Sequence, residues 1–161
     1  MAQLYGELGR DFVIIVANGL NVFRMVMQKA PTLFVSHGAP TFALEASALV
    51  DKLAVLGAGL DNIKAVLVVS PHWQTNALEV MTNVLPETIH DFYGFPDALY
   101  KIQYPVRGAV EFAKKAADLL GEAGLSISSN PSRGLDHGAW VPLMHIFTEG
   151  QIPVFQVSLP Y

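Results

Sequence analysis

The sequence predicts an α/β fold, a single sandwich with a mostly parallel or mixed central sheet and helices on its faces. Three observations predict it. Short, continuous apolar runs rich in valine close on a small polar residue, stretches of helical periodicity alternate with them, and Gly or Pro punctuates the joins. At 161 residues, with 52% hydrophobic residues and a mean hydropathy of +0.36, the chain can bury one core of ordinary domain size.

Residues 1–30 stand apart as a leader. They carry apolar runs over residues 12–16 and 22–27, interrupted by Asn18, Gly19, Asn21 and Arg24. Neither run approaches the roughly 18 apolar residues of a membrane span. A signal peptide is disfavoured, because Glu7 and Asp11 flank Arg10 and no small-x-small cleavage site follows. The expectation is a cytoplasmic protein, not a membrane protein, with a domain over residues 31–161 and a leader that is either an extra strand or helix or a consequence of start-site choice.

Within that domain, residues 32–36 (TLFVS) and 63–70 (IKAVLVVS) read as strands buried on both faces. Between them Leu44, Ala48, Leu49, Leu53 and Leu56 share one helical face, predicting a helix over residues 42–56 that Gly57 and Gly59 end. The two strands are then adjacent and parallel, joined by a right-handed crossover. A strand follows over residues 78–82, a helix over 109–120 stopped by Gly121 and Gly124, and a strand over 126–129. After the loop 130–134, a short helix over residues 140–147 accommodates Pro142 in its first turn, and residues 152–159 form a last buried strand. The chain stops directly after that strand, at Ser158-Leu159-Pro160-Tyr161, where more structure is expected to cover the sheet.

A net charge of -4 with 15% charged residues, and no basic run longer than Lys114-Lys115, argues against a nucleic-acid partner, whose phosphates demand clustered Lys and Arg. The absence of cysteine excludes disulfides, iron–sulfur clusters and thiolate zinc sites, so any metal falls to His, Asp or Glu. No Gly-x-Gly-x-x-Gly, Walker-type or Gly-x-Ser-x-Gly pattern is present, which leaves nucleotide binding and serine hydrolysis without their usual loops.

The histidines carry the chemistry. His37 follows the first predicted strand in Ser36-His37-Gly38-Ala39-Pro40, and His72 follows the second in Ser70-Pro71-His72-Trp73. A lone histidine at a strand end is ordinarily a hydrogen-bonded structural residue. Two at the carboxyl ends of neighbouring parallel strands converge on the rim where such sheets bind ligands, and paired imidazoles make half of a metal site. His137, in Gly134-Leu135-Asp136-His137-Gly138-Ala139-Trp140, is placed for acid–base chemistry or for a hydrogen bond to a substrate. Asp136 beside it reads as a helix cap. His90 lies in the aromatic loop Ile89-His90-Asp91-Phe92-Tyr93-Gly94-Phe95-Pro96, which suits a wall for a flat ring and equally a lid over a core. His145, mid-helix, reads as structural.

The strings PTLFVSHGAP, VVSPHW, IHDFYGFP, YPV and GLDHGAWVPL, in that order across residues 31–161, resemble the class III extradiol ring-cleavage dioxygenases of the DOPA-dioxygenase type. The resemblance implies one non-haem divalent metal, Fe(II) or Zn(II), with the family's first two histidine ligands at His37 and His72. It places His137 beside substrate and oxygen, the candidate catalytic residue; the candidate substrate-binding residues are His90, Tyr93 and Trp73. The implied partners are a small aromatic diol and O2, and homo-oligomerisation is left open. The family's third protein ligand and a further acid–base histidine come from a later segment that does not occur in residues 1–161; Asp136, Asp91 and Glu45 are the nearby carboxylates to nominate as substitutes, and none falls in a family ligand motif. Two other readings compete: a zinc-dependent hydrolase using the same imidazole pair, and a non-catalytic metal-binding fragment.

Overall fold

The computed structural model describes residues 12–16, 30–60 and 62–161. The leader's run over residues 22–27 and its charged start lie outside the described residues.

Four parallel strands form the main sheet: β1 (Phe12–Val16), β2 (Thr32–Phe34), β3 (Ala65–Val69) and β7 (Val154–Gln156), in the order β2-β1-β3-β7. The register runs Ile15 beside Leu33, Ile14 beside Leu67, and Leu67 beside Phe155. The strands that precede His37 and His72 are therefore parallel, as the sequence predicts, but not adjacent, because β1 of the leader lies between them. The composition allows this order. Phe-Val-Ile-Ile-Val is a continuous β-prone run suited to pairing on both edges, and residues 30–34 offer only three such pairing positions.

β3 is the spine of the core. Ala65, Val66, Leu67 and Val68 are buried, as a strand covered on both faces requires, and Val154 and Phe155 of β7 are buried beside them. Two smaller parallel pairs flank the main sheet: β4 (Gln74–Thr75) with β8 (Leu159–Pro160), and β5 (Leu78–Met81) with β6 (Ile127–Asn130). The single strand expected over residues 152–159 is thus split. Val157 turns away to bridge Val80 in antiparallel sense, and the Ser158 amide donates to the Glu79 carbonyl at 2.9 Å.

The helix expected over residues 42–56 also divides, into a 3-10 turn (Pro40–Leu44) and α1 (Ala48–Ala58). Ser47 interrupts it, because its hydroxyl accepts from the Val50 amide and makes a new N-cap. A short α2 (Asp97–Tyr100) follows the aromatic loop, and α3 (Val110–Glu122) packs on β5, β6 and β7. The last helix, α4 (His137–Ile146), begins three residues before the predicted start, which puts Pro142 in its interior rather than its first turn. Burial explains why the helix survives a proline there: Trp140, Val141 and Leu143 are fully buried, and α4 packs on α1 and the 3-10 turn. Among the described residues no helix is long and apolar enough to cross a membrane.

Candidate metal centre

His37 and His72 each stand three residues beyond a strand end, after Phe34 of β2 and Val69 of β3. Both loops turn back over the carboxyl edge of the parallel sheet. Gly38, next to His37, takes φ of +64°, a left-handed turn that costs a glycine little. His137 arrives from a third direction as the first residue of α4.

The three imidazoles meet. Nε2 of His37 lies 3.0 Å from Nε2 of His72, the His72 and His137 rings stand 4.0 Å apart at their centroids, and one donor atom from each ring lies within 4.8 Å of the others. The donor set fits a divalent cation. Two nitrogens bound at roughly 2.1 Å on perpendicular axes sit about 3.0 Å apart, the separation of the His37–His72 pair. Nδ1 of His37 is buried without a hydrogen-bond partner, so this ring is not spent on structural bonding through that atom. Burial, then the neighbouring imidazoles, hold His37 below the ordinary histidine range. His72 is lowered likewise, by burial first and then by His137. Both shifts favour the neutral ring whose lone pair binds metal.

Asp91 contacts two of the three rings. Oδ1 of Asp91 accepts from the backbone amide of His137 and bonds its Nδ1, each at 2.9 Å, and Oδ2 lies 3.8 Å from Nδ1 of His72. Burial pushes the Asp91 carboxyl up, but the hydrogen bonds from the His137 ring and amide outweigh it and hold it below the usual range. Asp91 thereby satisfies the first amide of α4, the task the sequence assigned to Asp136.

Asp136 occupies the N-cap position but makes no side-chain cap bond. Its carboxylate points inward, fully buried, and accepts from Ser70 Oγ at 2.5 Å, Arg133 Nη2 at 2.8 Å and Gln156 Nε2 at 3.2 Å. Three strong donors outcompete a helix amide for one carboxylate, which is why the predicted cap does not form. The network ties the loop after β3 to the end of β7 and the start of α4. Ser70 Oγ also accepts the His72 amide at 3.2 Å. Gly138 sits against this junction, where a Cβ would lie 2.5 Å from Ser70 Oγ and 2.8 Å from His72 Cδ2.

The remaining sequence candidates lie around this centre. Phe92 meets the His137 ring edge-on at 5.6 Å and packs with Phe95, Tyr100 and Trp140, so the loop's aromatics reach the imidazoles through Phe92. His90 stays out of the three-ring group; its Nε2 bonds the Ile102 carbonyl at 3.0 Å. Tyr93 is 92% exposed, whereas Trp73 is 5% exposed with the Arg133 guanidinium 5.1 Å above its ring. His145 bonds the Phe42 carbonyl at 3.0 Å from a buried position, as a structural residue does. Glu45 follows the 3-10 turn, at its C-cap, and is not one of the three grouped residues. Sequence reasoning missed Ser70, Arg133, Gln156 and Phe92. Gln156 left a signal, a lone polar side chain inside the apolar strand PVFQV.

The fold and site together define an α/β protein with three imidazoles grouped closely enough to hold one cation at the carboxyl edge of parallel strands. Residues 53–160 match the LigB family, the catalytic LigB subunit of aromatic ring-opening dioxygenase, and the chain belongs to that family. It is 42% identical over 134 residues to the 4,5-DOPA dioxygenase extradiol of Beta vulgaris, covering 80% of this chain and 49% of that protein. The protein of the same name from Escherichia coli K12 is 36% identical over 135 residues, with 84% and 49% covered. A crystal structure of an uncharacterized Escherichia coli K12 protein superposes with a TM-score of 0.55 at 27% identity, over 71% of this chain and 41% of that one. The chain spans about half the length of the curated relatives it matches.

Proposed function

We propose that the His37, His72 and His137 centre holds one divalent metal, Fe(II) or Zn(II), and serves extradiol opening of a catechol-type ring, DOPA-like or protocatechuate-like, by O2. The observation that carries this reading is the convergence of three imidazoles from three separate loops at one sheet edge, beside an aromatic wall. When bound, the metal supplies a meeting point for diol and dioxygen and a path for charge between them.

The chain's own residues do the rest. His37 and His72 present neutral nitrogens, and the Ser70–Asp136 junction fixes the loop that carries His72. His137, committed to Asp91 through Nδ1, has its other nitrogen left for the metal, with the Asp91 carboxylate behind the ring as counter-charge. Phe92 gives the aromatic ring a face to pack on, and His90 anchors the loop through Ile102, leaving Tyr93 exposed to solvent. Trp73, buried beneath Arg133, acts in this reading by supporting Arg133 and not by touching substrate.

The test is anaerobic loading with Fe(II), then addition of oxygen with L-DOPA or protocatechuate. The reading expects oxygen uptake and a yellow ring-opened semialdehyde. Ester or amide hydrolysis with Zn(II) and no oxygen uptake would replace it with a zinc hydrolase, and metal binding with neither activity would leave a non-catalytic metal-binding fragment.

A further inference from the structure

Away from the three imidazoles, residues 84–88 and 104–108 run side by side in opposite directions. They are tied at both ends: the Gly108 amide donates to the Val84 carbonyl and the Tyr104 amide to Thr88 Oγ1, each at 2.9 Å. Between the ties the two stretches share no hydrogen bond among the described residues, and here Pro86 and Pro105 each remove an amide donor. A cleft of about 510 Å³ opens between them, within the size range of small-molecule sites.

The groups that line this cleft are of complementary kinds. Val106 is 5% exposed, yet among the described residues nothing accepts its amide, although buried amides are almost always paired. Glu87 on one stretch and Arg107 on the other are exposed, and among the described residues neither makes an ion pair, with the other or with any third side chain. Leu85 and Pro86 add an apolar wall. The outer edges of both stretches are already occupied, because the Leu135 amide donates to the Glu87 carbonyl at 2.8 Å and the Val154 amide to the Arg107 carbonyl at 2.9 Å. A partner strand therefore has no edge to extend, and the cleft suits a small molecule.

The two charges narrow the choice. A simple anion would meet Glu87 and a simple cation would meet Arg107, whereas a molecule carrying both charges satisfies both. We propose that this cleft binds a free α-amino acid with an apolar side chain. Its carboxylate sits on Arg107 and the Val106 amide, its ammonium on Glu87, and its side chain on Leu85 and Pro86. No residue lining the cleft hydrogen-bonds His37, His72 or His137, so the inference stands apart from the metal centre proposed above.

Titration of the metal-free chain with L-leucine, followed in 1H–15N correlation spectra, tests it. The amide signals of Glu87, Val106 and Arg107 are expected to move and saturate, while the ring signals of His37, His72 and His137 stay in place. 3-Methylbutylamine lacks the carboxylate and 4-methylpentanoate lacks the ammonium; each is expected to bind about tenfold more weakly, the loss when a hydrogen bond to a charged group is removed. Arg107→Met should abolish the preference for leucine over the amine, and Glu87→Gln the preference over the acid. Both side chains are exposed, so both variants are expected to keep the wild-type spectrum outside the cleft. Leucine that moves none of the three amides, or that moves the histidine rings instead, would overturn the proposal. So would an amine or an acid that binds as tightly as leucine, or full leucine affinity retained in either variant.

Discussion

Replacing Asp136 by alanine removes the carboxylate that, among the described residues, bonds Ser70, Arg133 and Gln156 together, and the structure sets the size of the loss. Ser70 and Gln156 are fully buried, so each is left with a donor that water cannot satisfy, at about 1–3 kcal/mol apiece. The Arg133 side chain is 20% exposed, and solvent recovers part of its loss, which keeps that contribution to about 1 kcal/mol. With the neutral donors near the low end of their range, the sum is about 3–5 kcal/mol, the cost found for breaking a buried ion pair from one side. That is a large share of a domain's typical stability of about 5–15 kcal/mol. Urea unfolding of the metal-free protein measures it, and Asp136→Asn, which keeps one acceptor oxygen, is expected to recover part of the loss. An Asp136→Ala protein within about 1 kcal/mol of wild type would refute the reasoning, because a substitution that mild belongs to ordinary surface positions.

Further outcomes follow from the same geometry. Gly138→Ala puts a methyl group against Ser70 Oγ and the His72 ring, so it is expected to cost about 1–3 kcal/mol by overpacking and to weaken Co(II) binding by displacing His72; unchanged affinity in a titration would contradict the tight junction. In metal-free protein His37 and His72 are held below the ordinary imidazole value, so the unfolded chain binds protons that the folded pair resists. Stability is therefore full above about pH 6.5 and is lost as pH falls toward the lowered folded values, and urea midpoints across that window should flatten in a His37→Gln, His72→Gln double variant. His145→Leu leaves the Phe42 carbonyl without its partner and is expected to cost about 1–3 kcal/mol while leaving metal content, read by elemental analysis, unchanged.

Much of the fold was legible because its signals are local. The valine-rich run that became β3, the periodic stretch that became α3 and the histidines just past two strand ends are patterns of neighbouring residues, and the structure retains them. What could not be read depends on partners far apart in the chain. Asp91 and His137 are 46 residues apart, and Ser70 and Asp136 are 66 apart, so nothing beside Asp136 announces that its carboxylate serves a buried network instead of the helix end. The place of β1 between β2 and β3 is likewise a competition among strands for one edge, which the composition of residues 12–16 allows but does not dictate. His137 reads from its loop as a residue for acid–base chemistry or a hydrogen bond to substrate, and only the meeting of three loops brings its ring beside those of His37 and His72.

The central claim is that these three imidazoles form one cation site. Calorimetric titration of the metal-free protein with Zn(II), repeated on His37→Ala, His72→Ala and His137→Ala, tests it most directly. The account predicts one equivalent bound by the wild type and a loss in each variant greater than the tenfold to hundredfold that an outer partner costs. Full affinity surviving in any one of the three variants would contradict it.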